Sequence, residues 1–429
     1  MTPVYGTPET LEEQIVFWSI VGTWCLYLLG ALYFVMPFIG WTLATIALGR
    51  RLQDWAGDEP EFQNALPAGS LVWIGGMVLM GIALLVGHIE HDALQLIKSI
   101  LGWMKGWALI AVFVFVGAAM SIRAEIVYRA SNLLAIQTLL LAPVLLFAGL
   151  FWLPNLEYVS PLSILGGSGA EYFTVHLYGL DSGKVRWSFY APWAPAAALI
   201  GSMSLVFAYF DKSPMRRGAS ILAALTICAM SQSRLSYVAV PLVGVLILGL
   251  SNLSRPPVYI IAAAACFAAL PFDEFVLEFI ENAQDQFNSA RAASSRVRAT
   301  LQSIALHRWW TEAPIWGHGT VEPGPWIVAN MMIGTHHTWN GLLFVKGLVG
   351  FVALAVPMAW SMIEVTAKAQ RDRVARSALG VLLVLALYSF GENLESLIYL
   401  FWPGMVVVGI ALRRRFVNPF TPCLGLDPA

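Results

Sequence analysis

The chain has 429 residues, 58% of them hydrophobic and only 12% charged, about half the charge of a typical soluble protein. Mean hydropathy is +0.69 and the formal net charge is −1. These values exclude a soluble enzyme, a disordered regulator and a nucleic-acid binder built on basic charge, and they point to an all-α polytopic membrane protein.

The first residues, Met1 to Gln14, carry Glu9, Glu12 and Glu13 but no Lys or Arg. A cleaved signal peptide needs a basic start, so the first apolar run is expected to insert as its own uncleaved signal. That run, Val16 to Leu48, is too long for one crossing of a bilayer core about 30 Å thick. It reads as two helices meeting at the Met36–Pro37 break. Further apolar runs fall near 71–87, 100–120, 132–153, 189–209, 219–231, 236–250, 257–271, 339–362, 378–391 and 397–412, giving about twelve spans.

Charge supports this layout. With Arg50 and Arg51 placed in the cytoplasm, alternating crossings put Arg123, Lys212, Arg217, Arg255, Arg373 and Arg414 on the same side. Both termini are then cytoplasmic. Two long segments face the far side, 154–188 and 272–338, within one integral domain spanning 1–429. The four cysteines show neither CxxC nor metal-ligand spacing, so no metal and no cofactor are expected.

Cations on the far side escape the topological explanation, and ionisable groups at membrane helix ends are candidate functional residues. Arg186 lies in Lys184-Val-Arg-Trp-Ser-Phe-Tyr-Ala-Pro-Trp-Ala-Pro195, where a loop re-enters the membrane. Arg234 closes a hydroxyl-rich Ser-Gln-Ser-Arg turn inside an otherwise apolar run. The stretch from Arg291 to Arg308 has helical periodicity, with Val297, Leu301 and Ile304 on one stripe. Arg291 and Arg298 share a polar face of that helix, and Arg296 lies on an adjacent one. Gly334-Thr-His-His-Thr-Trp-Asn340 then brings His336, His337 and Asn340 to the mouth of the next span, where histidine suits general-base chemistry. Glu392 and Glu395 flank the last outward turn and suit an arginine or a sugar hydroxyl. His88-Ile-Glu-His-Asp92 has metal-like residue types but reads as a solvated loop.

Taken in order, the turn led by Arg186, the Ser-Gln-Ser-Arg234 turn and an Arg-bearing helix running into Pro314-Ile-Trp-Gly-His-Gly319 make a recognisable set. They are followed by a histidine motif that closes on Gly347-Leu-Val-Gly350. The chain thereby resembles the O-antigen ligase and O-antigen (exopolysaccharide) polymerase superfamily of bacterial membrane glycosyltransferases, over roughly residues 70 to 410. The resemblance implies a GT-C-like fold of about twelve transmembrane helices with one large periplasmic loop, in the bacterial inner membrane with the active site facing the periplasm. It implies an undecaprenyl-pyrophosphate-linked oligosaccharide as donor and an acceptor glycan or glycolipid, and leaves room for a chain-length regulator as partner. The family histidine falls on His336, and His337 stands where the family usually has Asn. Arg186, Arg234 and either Arg296 or Arg298 would bind the donor pyrophosphate, with Arg291, Asn340 and Glu392 as further substrate contacts. Where members commonly carry an acidic residue, this chain has Val345. A polymerase of O-antigen, capsule or exopolysaccharide is the leading expectation, ahead of a ligase acting on lipid A-core and of a transporter.

Overall fold

A computed structural model describes residues 7–56, 65–152, 157–166, 169–176, 178–181, 184–270, 278, 292–328, 330–335 and 337–416. The fold is almost entirely helical. In chain order the helices are α1 (Leu11–Val21), α2 (Thr23–Leu28), α3 (Leu32–Ala56), α4 (Ala68–Gly87), α5 (Ala93–Lys105), α6 (Trp107–Ala119), α7 (Ala124–Leu150) and the short α8 (Ser163–Gly166). After them come α9 (Ala194–Phe210), α10 (Pro214–Ser231), α11 (Arg234–Leu250), α12 (Pro256–Ala269), α13 (Ala292–Glu312), α14 (Thr338–Ala369), α15 (Arg373–Tyr388) and α16 (Leu394–Arg413).

Among the described residues, α3, α4, the α5–α6 stretch, α7, α14 and α16 are long and apolar enough to cross a membrane. Shorter apolar helices are α9, α11 and α12. This is a multi-pass membrane protein. The expected break at Met36–Pro37 is corrected: Pro37 lies inside α3, and the chain turns at Leu29–Ala31 instead. Gly30, at φ +62°, sends its N–H to Tyr27 O while Ala31 N–H reaches Leu26 O, a glycine-capped helix end. Proline forfeits one backbone bond, which a membrane helix tolerates, whereas a left-handed residue stops the helix outright.

Helix α16 is the hub, buried from Leu397 to Leu412 and packed against α6, α9 and α15. Its contact with α6 is backbone to backbone. A Cβ on Gly117 would sit 2.1 Å from Val406 O, and one on Gly409 would sit 2.2 Å from Val114 O. Such small-residue seams let membrane helices approach where no solvent drives them together.

The two ends of the bundle differ in charge. At one end, Glu12 pairs with Arg50 at 2.8 Å and Glu13 with Arg123 at 2.7 Å. Arg413 there donates to the carbonyls of Met120 and Ile122, and Asp211 pairs with Arg216 at 2.5 Å. The opposite end carries three two-stranded antiparallel ribbons. They are β1 (Tyr158–Val159) with β2 (Thr174–Val175), β3 (Gly179–Asp181) with β4 (Lys184–Arg186), and β5 (Glu322–Pro323) with β6 (Met332–Ile333).

Candidate functional site

Arg186 ends β4 and is only 6% exposed. Its Nε donates to Ser231 O at 3.1 Å and its Nη2 to Gln232 O at 3.3 Å. Those carbonyls lie at the C-terminal end of α10, where orphan acceptors and the helix dipole favour a cation. In return, the Gln232 side chain, on a backbone held at φ 49°, donates to Val185 O at 3.2 Å. The Arg186 strand and the Ser-Gln-Ser-Arg turn, 45 residues apart, are therefore one unit. Arg234 opens α11 from this unit and is half-buried.

The turn between α15 and α16 faces it. A Cβ on Gly391 would meet the Leu235 side chain at 3.2 Å, next to Arg234. Glu392, 6% exposed, accepts a hydrogen bond from Trp193 Nε1 at 2.7 Å. Burial raises its carboxyl to about 7, against the opposing pull of Arg298, the Trp193 bond and Arg186. The charges of Arg298 and Arg186 both act on this buried acid, while Arg186 itself is bonded to the carbonyls of the α10 end.

The start of α14 closes the same space. Thr338 Oγ1 donates to Glu392 O at 2.6 Å, and Trp339 Nε1 donates to Ser389 Oγ at 2.8 Å. His337 caps α14: its Nδ1 accepts the backbone N–H of Asn340 at 3.3 Å. A neutral His337 then carries its proton on Nε2 and offers a donor there rather than a base. Burial lowers its pKa, favouring that neutral form. Asn340 therefore meets His337 through its backbone. His336 and Arg291 lie outside the described residues.

Helix α13 presents Arg298 rather than Arg296. Leu301 and Ala305 are buried, with Val297 and Ile304 beside them, against Val328, Ile333 and Phe344. At about 100° per residue, Arg298 flanks this inward stripe, being three and seven positions before Leu301 and Ala305. Arg296 turns away from the stripe. Of the two, Arg298 is the one whose charge is felt at Glu392.

Below the site, α14 is broken at Gly347, at φ 63° and ψ −164°. The Pro314–Gly319 segment fills the break. His318 and Gly319 N–H groups reach Phe344 O and Val345 O at 2.8 and 2.9 Å, and Leu348 N–H reaches Pro314 O at 2.9 Å. Interrupted membrane helices survive where other parts of the protein satisfy the freed groups. The two glycine-containing segments picked out in the sequence are thus the two sides of one contact. Val345 packs there with Phe344 and contributes no charge to the site.

The outer end of α13 is held by ions. Arg308 pairs with Glu312 at 2.8 Å and Glu322 at 2.6 Å, and His318 bonds Glu312 at 2.9 Å. Arg308 and His318 together hold the Glu312 carboxyl down at about 2. His88 has both ring nitrogens engaged, with Leu84 O at 2.8 Å and Ser99 Oγ at 2.7 Å, so its role is structural. Among the described residues no group of three or more His, Cys, Asp or Glu is placed to hold a metal ion.

Trp193 and Thr338 were not singled out by sequence. The only trace of Trp193 was its place between two prolines at a helix entry, a pattern that interface anchoring explains equally well.

Residues 219–355 match the family model described as O-Antigen ligase. The matched segment runs from α10 into α14 and holds Arg234, Arg298, His337 and the Gly347 break, while Arg186 precedes it and Glu392 follows it. Comparison with curated proteins gives no match.

Proposed function

We propose that this chain, whose residues 219–355 belong to the O-antigen ligase and polymerase superfamily, is a polysaccharide polymerase. It moves an undecaprenyl-pyrophosphate-linked oligosaccharide en bloc to an acceptor glycan. The observation that carries this reading is the buried Arg186 locked to the Arg234 turn, beside the buried Glu392 that Trp193 and Thr338 hold next to the His337 cap. In this reading the chain crosses the bacterial inner membrane twelve times, its arginine-rich end is cytoplasmic, and the Glu392 end faces the periplasm.

The chemistry follows from the donor. The acceptor hydroxyl attacks the anomeric carbon, the bond to pyrophosphate oxygen breaks, and the electron pair leaves with the pyrophosphate. Arg186, Arg234 and Arg298 receive that growing negative charge, which guanidinium forks hold bidentately and which a dry site strengthens. His336 takes the hydroxyl proton, a role left to it because His337 Nδ1 is engaged in capping. The in-line displacement inverts the anomeric centre and calls on arginine where other transferases use a metal.

A second reading, transfer of the chain onto lipid A-core, is favoured by the description of the matching family and uses the same donor residues. The test is an assay of purified protein with lipid-linked oligosaccharide, alone and with lipid A-core, comparing wild type with Arg298→Ala and Glu392→Ala. Lengthened lipid-linked chains from wild type alone support the polymerase. Product only with lipid A-core supports the ligase. Equal turnover in all three proteins would remove the site.

A further inference from the structure

At the end of the bundle away from Glu392, five helix ends border a cavity of about 370 Å³. Helix α15 separates the two regions, and its 16 residues span about 24 Å. The cavity is lined by the cations Lys212, Lys368, Arg371, Arg373, Arg414 and Arg415, against two carboxylates, Glu125 and Asp372. Tyr128 and Phe210 form its apolar floor, and the Arg373 guanidinium lies 5.9 Å from the Phe210 ring centre.

The two acids are already engaged. Asp372 caps α15 through the N–H groups of Val374 and Ala375, and its other oxygen meets Arg414 at 3.5 Å. Glu125 stands 4.0 Å from Lys212. Lys368 turns inward to Glu364 and to the carbonyls of Ala411 and Leu412. With Lys368 matched by Glu364, the other five cations around two committed carboxylates leave, among the described residues, an excess of positive charge concentrated in one hollow. Topological sorting accounts for cations at this end of the bundle, but it does not require them to surround a cavity.

We infer that this cavity is a binding site for a phosphate-bearing anion, distinct from the site at the opposite end. Guanidinium groups match phosphate oxygens bidentately, and basic hollows between membrane helix ends suit anionic lipid headgroups. An anionic phospholipid and a free phosphate compound offer the same chemistry, and the experiment separates them.

The full-length protein, purified in detergent, is incubated with phosphatidylglycerol, cardiolipin or phosphatidylcholine, and retained lipid is counted by native mass spectrometry. Inorganic pyrophosphate is titrated in parallel by calorimetry. Two doubly substituted proteins are compared with wild type: Arg371→Gln with Arg415→Gln, both at exposed positions, and the same two positions changed to Lys. Retention of anionic lipid by wild type and the Lys protein, with about tenfold weaker retention by the Gln protein, supports a lipid site. Pyrophosphate binding with the same pattern and no lipid retention supports a site for soluble phosphate. Equal binding of both ligand classes by all three proteins, retention of phosphatidylcholine as strong as that of the anionic lipids, or loss in the Lys protein as deep as in the Gln protein would each overturn the inference.

Discussion

Thr338 and Glu392 are clasped together: the Thr338 hydroxyl donates to Glu392 O at 2.6 Å, and the Thr338 N–H reaches the same oxygen at 3.2 Å. The hydroxyl also accepts the N–H of Leu394 at 3.0 Å, so one buried side chain joins the start of α14 to the start of α16. Thr338→Val keeps the shape and orphans the Leu394 N–H, at a cost of about 1–3 kcal/mol. Thermal unfolding in detergent should show that loss, with glycan transfer falling further than stability because Glu392 loses its register. Thr338→Ser should behave nearly as wild type. A Val protein with unchanged melting and turnover would show that the clasp does not position Glu392.

Glu392 makes the site sensitive to pH in a stated direction. Burial lifts its carboxyl from 4.5 to about 7, so it is neutral below that range and charged above it. A charged Glu392 competes with pyrophosphate for Arg186 and Arg298. Donor affinity should therefore rise as pH falls from 8 to 6, by about tenfold, the equivalent of one unit of coupling. The same shift costs folding stability as pH rises from about 4.5 to about 7, because the folded state must ionise a buried acid. Glu392→Gln should flatten the affinity profile and raise the melting temperature at pH 8. A Gln protein whose donor affinity still follows pH would assign the titration to another group.

Arg298 and Arg296 are two residues apart and should behave differently. Both side chains are exposed, but Arg298 flanks the buried stripe of α13 and its charge acts on Glu392, whereas Arg296 lies on the side of the helix turned away from that stripe. Arg298→Ala should cut transfer by about 100-fold, the scale for removing one oriented partner of transition-state charge. Arg296→Ala should stay within about threefold, the range of a surface change. Initial rates with a common donor, measured on both proteins in parallel, decide the matter. Matching losses would mean that α13 acts through its overall charge.

Helix positions were legible because apolar runs report burial in lipid directly, and α4, α9, α11 and α16 begin and end within a few residues of the expected runs. The first turn was misplaced because proline is the more conspicuous residue, while the left-handed Gly30 is what stops the helix. Arg186, Arg234 and Arg298 stood out as cations without a topological reason. The Trp193–Glu392 bond was not legible, since it joins residues 199 positions apart through two loops. Periodicity describes the faces of one helix and says nothing of which loops meet. The choice between Arg296 and Arg298 needed the partner surface of α13, which Val328, Ile333 and Phe344 supply.

Gly347 has the least freedom to change. It sits at φ 63°, and a Cβ there would lie 2.2 Å from Ile315 O and 2.6 Å from Gly317 N. Gly347→Ala thus adds strain of about 1–3 kcal/mol for the backbone conformation alone. The clash with the docked Pro314–Gly319 segment comes on top of it. Two outcomes are open to the chain: α14 straightens and expels the segment, or the segment stays and the helix distorts. Expulsion would free the carbonyls of Phe344 and Val345 and loosen His318, which stacks on Phe344 at 4.3 Å. A Gly347→Ala protein should therefore expose the Pro314–Gly319 segment to proteolysis and lose transfer, while Gly244→Ala on α11, where a Cβ would meet nothing within 4 Å, should lose neither protection nor transfer. Limited proteolysis with mass mapping of the cut sites tests this, and equal protection of the segment in both proteins would show that the break is not held by Gly347.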